Sequence, residues 1–244
     1  MPKASICSIC SNCNGVRLAS IPGTREAPSQ AGLRPLFFTP FASFFLSNLD
    51  LMTTEEKVEN WFVPLSTTEL TLKEAHSQLD EFGLEQEDVP LIIQLVENPK
   101  YDLPGIDIFH GATNLKTHDY IHILLGRGVM IKDEAFVLGF TMGSSNRVTT
   151  TEEKLFSFIT KYIYPKNYQF TDEDLHIFKD AVRLGFVSDC KSLAKIDYER
   201  YLDWPLQKIR NDIGIEVDLL KAYYAIEAKR FPHIKECTRN LIGF

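Results

Sequence analysis

The stretch Thr117–Phe136, "THDYIHILLGRGVMIKDEAF", decides the fold class. Apolar residues recur at helical spacing through "NLKTHDYIHILL", and Gly126 or Gly128 supplies the stop. A second helix opens near Lys132 and covers "DEAFVLGFTM" before Gly143-Ser144-Ser145. Between the two, Gly126-Arg127-Gly128 allows a chain reversal, because glycine accepts the left-handed backbone that a tight turn requires. The pattern is helix, turn, helix.

Working outward, the punctuation stays helical. Thr71 with Glu74 forms a capping box ahead of "LKEAHSQLDEF", with Gly83 as the stop. Asp88 and Pro90 open "VPLIIQLVEN", which Asn98-Pro99 ends. Thr150 with Glu153 caps "EKLFSFITKYIY" up to Pro165. Thr171 opens "LHIFKDAVRLGFV", with Asp172, Glu173 and Asp174 against the positive helix terminus. "DYERYLDWPLQKIRNDIG" and "VDLLKAYYAIEAKRF" complete the set, the first kinked or split by Pro205. From Met52 onward almost no run has period two, and Asn-Gly or Asp-Gly hairpin signals, dinucleotide and Walker loops and internal repeats are missing. The expectation is an all-α fold, a single multi-helix bundle of about seven or eight helices.

The bundle is expected over residues 52–244. Residues 1–51 carry Lys3, Arg17, Arg25 and Arg34 against Glu26 and Asp50, so they sit at +2 while the remainder sits at −9. This Ser-, Pro- and Arg-bearing stretch reads as a targeting-like leader, or as sequence upstream of a start at Met52. Its apolar run "LFFTPFASFFL" lies deep in the chain and contains Pro40. Cys7, Cys10 and Cys13 have the spacing of three corners of a zinc or iron–sulfur site but lack an evident fourth ligand. With Cys190 and Cys237 isolated, the five cysteines are not a disulfide framework. A net charge of −7 argues against a nucleic-acid partner. No apolar run approaches the ~18 residues that span a bilayer.

The chemistry concentrates in the opening stretch. His118 and His122, four apart, lie ~40° apart round a helix, and Asp119 lies ~100° from His118. Glu134 opens the next helix close to where His122 ends. Two imidazoles and two carboxylates converging inside a bundle suit a divalent metal, and burying them without a cation is costly. The competing reading is a hydrogen-bonded core histidine with Asp119 orienting its ring. His76, His110, His176 and His233 have no adjacent aspartate. A zincin needs Glu where Asp119 stands, so a metalloprotease is disfavoured. No catalytic residue is assigned.

His118, Asp119, His122 and Glu134, with eleven residues between the last two, resemble the signature of the fourth coenzyme Q biosynthesis (Coq) protein family. "LLGRG" is similar to that family's Leu-Leu-Gly turn, and "YERYLDWPLQKIRNDIGI" to its aromatic Arg/Trp helix. The likeness covers Thr113 to Ile215. The family's N-terminal blocks are not found in residues 52–110, Pro205 interrupts the last matching helix, and the tail from Val217 to Phe244 is extra. The resemblance implies zinc at these four positions, with Fe2+ the alternative since imidazole and carboxylate suit both. It further implies ubiquinone biosynthesis: C1 decarboxylation of a polyprenylated 4-hydroxybenzoate, a carboxy-lyase role, and organisation of the biosynthetic complex. A non-catalytic prenyl-lipid scaffold with a structural metal, and a non-haem iron oxygenase, are the other classes.

Implied partners are a polyprenylated aromatic lipid, other ubiquinone-biosynthesis proteins and a membrane touched peripherally, with room for a homo-oligomer. The implied location is the matrix side of the mitochondrial inner membrane, or a bacterial cytoplasmic membrane face. Such a substrate pairs an anionic head with an apolar tail, so an apolar groove or channel beside the metal is expected. Arg127 and Lys132 are read either as binding the anionic head or as solvated turn charges. Phe109, Tyr120, Phe136 and Phe140 are read either as a tail channel or as core.

Overall fold

Four helix starts among the described residues, at Thr71, Asn114, Thr149 and Thr171, are marked by side chains that accept from otherwise unpaired N–H groups. A computed structural model describes residues 54–80, 93 and 109–241, all within one compact unit, Ser47–Phe244. The leader, its three cysteines, and all but Ile93 of the helix expected over 89–98 lie outside the described residues. Those residues contain nine α-helices: α1 (Thr54–Asn60), α2 (Leu72–Asp80), α3 (Leu115–Leu125), α4 (Ile131–Ser144), α5 (Thr150–Tyr162), α6 (Asp172–Val187), α7 (Leu206–Ile213), α8 (Val217–Arg230) and α9 (Lys235–Arg239). Among them no strand forms, and the only bridges are Phe62 with Gly128 and Thr71 with Pro205. The chain is an all-α bundle.

Local chemistry explains most boundaries. Thr71 Oγ1 accepts from the Glu74 N–H at 3.2 Å while Glu74 Oε2 accepts from the Thr71 N–H at 3.0 Å, a reciprocal box. The next orphan donors of α2, at Leu72 and Lys73, reach the Trp204 and Leu202 carbonyls at 3.2 and 2.9 Å. Thr171 and Asp174 repeat the box at α6, at 3.3 and 2.6 Å. At α5 the cap is Thr149 with Glu152, one residue earlier than the sequence suggests. The reason is tertiary: Glu152 is buried and also accepts from the His110 backbone N–H at 2.6 Å. Pro205 splits its segment into a 3-10 turn, Tyr198–Tyr201, and α7.

Helices α4 and α6 make the most intimate crossing. A Cβ placed on Gly139, Gly143 or Gly185 would run into the carbonyl of Phe178, Val182 or Phe140 respectively, so backbone meets backbone. This is why α4 continues through Gly143 instead of stopping before it. Phe136, Phe140, Phe156 and Phe178, each at most 2% exposed, fill the space beside the crossing. Each ring contributes about 1.5–3 kcal/mol of burial. Phe109 and Tyr120 are likewise buried, so all four aromatics read as core or channel lie in the core cluster.

Candidate metal centre

Helix α3 delivers two imidazoles and α4 one carboxylate to the same point. Asn114 caps α3 by accepting from the Thr117 N–H, which starts the helix one turn before His118. The helix ends at Gly126, with φ 70° and ψ 33°, where a Cβ would also strike the Leu65 side chain. The reversal is therefore tight enough to place Glu134, in the first turn of α4, against both histidines. His118 Nε2 lies 2.9 Å from Glu134 Oε2, and His122 Nε2 lies 3.3 Å from Glu134 Oε1. One ligand atom from each of the three residues falls within 4.8 Å of the others. Donors held tetrahedrally about zinc stand roughly 3.3 Å apart, a separation that the two histidine–glutamate distances approach.

Both imidazoles turn toward one carboxylate. His122 Nδ1 lies 2.5 Å from the Gly128 carbonyl, which only accepts, so Nδ1 carries the proton. Its Nε2 is buried and turned toward Glu134 Oε1 at 3.3 Å. Either a proton on Nε2 or a metal cation between the two atoms satisfies both. Burial works against ionising Glu134, but His122 and His118 outweigh it and hold the carboxyl well below its usual range. The donor set, two imidazoles and a carboxylate with one ring fixed from behind, fits a divalent transition metal. Glu134, 30% exposed, is the open edge, and His122, at 1%, the closed one.

Asp119 is not a member of this group of three. Its Oδ2 lies 3.5 Å from His76 Nε2, and the His76 ring packs on Tyr120 at 4.9 Å between centroids. His76 thus gains an aspartate from a distant helix, as His110 gains Glu152 at 3.1 Å. Adjacency in sequence could reveal neither pair.

The turn behind the site is locked by buried ions. Arg127, fully buried, donates two hydrogen bonds to Glu227 at 2.9 and 2.6 Å, and its guanidinium packs against both the Phe136 and Tyr224 rings, 4.0 and 4.1 Å from their centroids. It also lies 3.8 Å from Asp133, which pairs in turn with Arg239. Burial opposes the Arg127 charge, but Glu227 more than compensates and raises its pKa. Arg127 is therefore neither a solvated turn charge nor free for a substrate head. Lys132 is committed as well, to Asp174 at 2.6 Å and Glu173 at 3.2 Å. Arg210 donates to the carbonyls of Leu124 and Ile123 at the end of α3 and to those of Leu65 and Thr67, and the Tyr224 hydroxyl donates to Leu125. Burial draws Arg210 down to about 10, still a cation at neutral pH.

The tail from Val217 onward, extra by the family pattern, thus supplies Glu227, Tyr224 and Arg239 to the framework of the site. One signal of this was legible: Glu227 follows Leu220, Tyr223 and Tyr224 by seven, four and three residues, a carboxylate within an apolar stripe.

Elsewhere, an open cleft of about 730 Å³ is lined by Leu65, Arg210, Glu216, Val217 and Lys221 among others, and none of the three ligands lines it. Cys190 and Cys237 are buried free thiols, and burial pushes Cys190 up to about 12. No helix among the described residues is long and apolar enough to cross a membrane. Comparisons with protein-family models, curated proteins and solved structures find no match.

Proposed function

We propose that this chain is a zinc-dependent protein of ubiquinone biosynthesis, removing the C1 carboxyl of a polyprenylated 4-hydroxybenzoate. The observation that carries the reading is the meeting of His118, His122 and Glu134 across the α3–α4 turn, with the spacing of the family signature intact. Zinc, when bound, supplies a Lewis acid for the carboxylate or phenolate of such a substrate. The protein's own share is orientation. The Gly128 carbonyl keeps His122 in the tautomer whose Nε2 points outward. The Arg127–Glu227 pair holds the turn, and Glu134 and Asp119 are each partly exposed at the rim of the group. Metal, prenylated lipid and companion enzymes of the same synthesis are the partners this reading requires.

Elemental analysis of the purified full chain tests it first. The expected result is about one zinc per chain, lost in His118→Ala and in Glu134→Gln, with loss of quinone in a complementation assay. Metal-free protein that still complements overturns the proposal. Iron with oxygen-dependent turnover would instead select the oxygenase class, for which two histidines and one carboxylate are also a suitable set.

A scaffold reading is favoured by one specific feature: the ligands staple a helix hairpin that already rests on buried ion pairs. Under it, His118→Ala lowers the melting temperature sharply while prenyl lipid still co-purifies with the wild type. Turnover of a prenylated benzoate by purified protein removes that alternative.

A further inference from the structure

Eight large apolar side chains are exposed among the described residues, and five of them belong to one short stretch: Leu155, Phe158, Tyr162, Ile163 and Tyr168. Phe158 and Tyr162 are 53% and 61% exposed, and their rings touch, 5.2 Å between centroids. Scattered exposed apolar residues are ordinary, but a contiguous aromatic cluster marks a surface that meets something. The helix beneath is firmly placed. Phe156 stacks on Phe178 at 5.0 Å and meets Phe109 at 5.5 Å, and Thr160 is fully buried. Around α5, Leu155, Phe158 and Tyr162 fall within an arc of about 60°, and Lys154 and Lys161 flank it on one side.

Charge selects the occupant. From Lys154 to Thr171 the chain carries Lys154, Lys161 and Lys166 and no acidic residue, inside a protein of net charge −7. Lys161 pairs with Asp172, whereas Lys154 and Lys166 are exposed. A second copy meeting this face symmetrically would set these lysines against their own equivalents. Protein interfaces favour arginine and are depleted in lysine, and this stretch has three lysines and no arginine. Tyrosine and phenylalanine beside long-stemmed lysines are what the boundary between lipid headgroups and acyl chains accommodates, the stems reaching back to phosphates.

We propose that Lys154–Tyr168 is a docking surface for an anionic lipid bilayer. Helix α5 lies parallel to the membrane, Phe158 and Tyr162 enter the headgroup boundary, and the lysines face lipid phosphates.

Co-sedimentation of the full-length protein with vesicles tests this, using phosphatidylcholine alone and phosphatidylcholine with about one-third phosphatidylglycerol. The wild type is expected to favour the anionic vesicles and to be released as salt rises from about 0.1 to about 1 M. Phe158→Ser with Tyr162→Ser should lower partitioning roughly tenfold or more. Lys154→Gln and Lys166→Gln should each lower it about fivefold. These positions are exposed, so circular dichroism should match the wild type. The variants retain residues 1–51, so undiminished binding would place membrane contact elsewhere and overturn the proposal. Equal binding to neutral and anionic vesicles overturns it too, as does self-association in light scattering that the aromatic variant abolishes. Metal content separates this from the preceding reading: His118→Ala should lose metal and keep vesicle binding, and the aromatic variant the reverse.

Discussion

The two ends of helix α4 are held by opposite kinds of physics. Its C-terminal half meets α6 through glycines at van der Waals contact, with stacked phenylalanines alongside and no charge at the crossing. Its N-terminal turn sits among ions: Asp133 against Arg239 and Arg127, Glu134 against two imidazoles, and Arg127 against Glu227. Apolar packing tolerates small losses at each position and is cheap to build. A buried ion network repays its desolvation only when every partner is present. The difference teaches where this fold is robust and where it is specialised, since the specialised end carries the candidate metal site.

Breaking the ionic end should cost most. Glu227→Ala strands the Arg127 guanidinium in the core and is expected to destabilise by about 3–5 kcal/mol, read by denaturant unfolding. Replacing both partners, Arg127→Met with Glu227→Leu, should recover most of that loss. A double variant no more stable than Glu227→Ala would show that the pair contributes more than mutual compensation. Metal sharpens the contrast next. Zinc at one hundred times its dissociation constant should stabilise the wild type by ~2.7 kcal/mol. The same addition should leave His122→Ala unmoved in thermal melts, and an unmoved wild type would refute zinc binding to the native state.

The apolar end is probed by Gly143→Ala, whose methyl group meets the Val182 carbonyl. Overpacking there should cost about 1–3 kcal/mol without altering metal content, so a loss of metal would mean that the two ends of α4 are coupled. The smallest effect is expected at the α6 cap, beside the first turn of α4. Thr171→Ala removes the hydroxyl that accepts from the Asp174 N–H and should cost about 1 kcal/mol. A cost several times larger would mean that the neighbouring Lys132–Asp174 pair falls with it.

Local signals read well because they act within one helical turn. Gly126 ends α3 where the glycine pattern places it, the Thr71–Glu74 box closes where expected, and α6 opens at Thr171 as its acidic first turn suggests. The α5 cap moved by one residue because Glu152 also serves His110, 42 positions away. Arg127 shows the same limit more strongly. In sequence it is one cation between two glycines, and its partner Glu227 lies 100 residues on.

From residue order alone follow most of the helices and the candidates His118, His122 and Glu134, because 3.6-residue periodicity and a glycine turn are short-range constraints. Only the tertiary structure decided that Asp119 pairs with His76, that Arg127 is a buried strut, and that the basic aromatic face of α5 stays uncovered. Which distant group reaches a charge, and which face finds no neighbour, are properties of the packed bundle, where the desolvation of every ion and ring is settled at once.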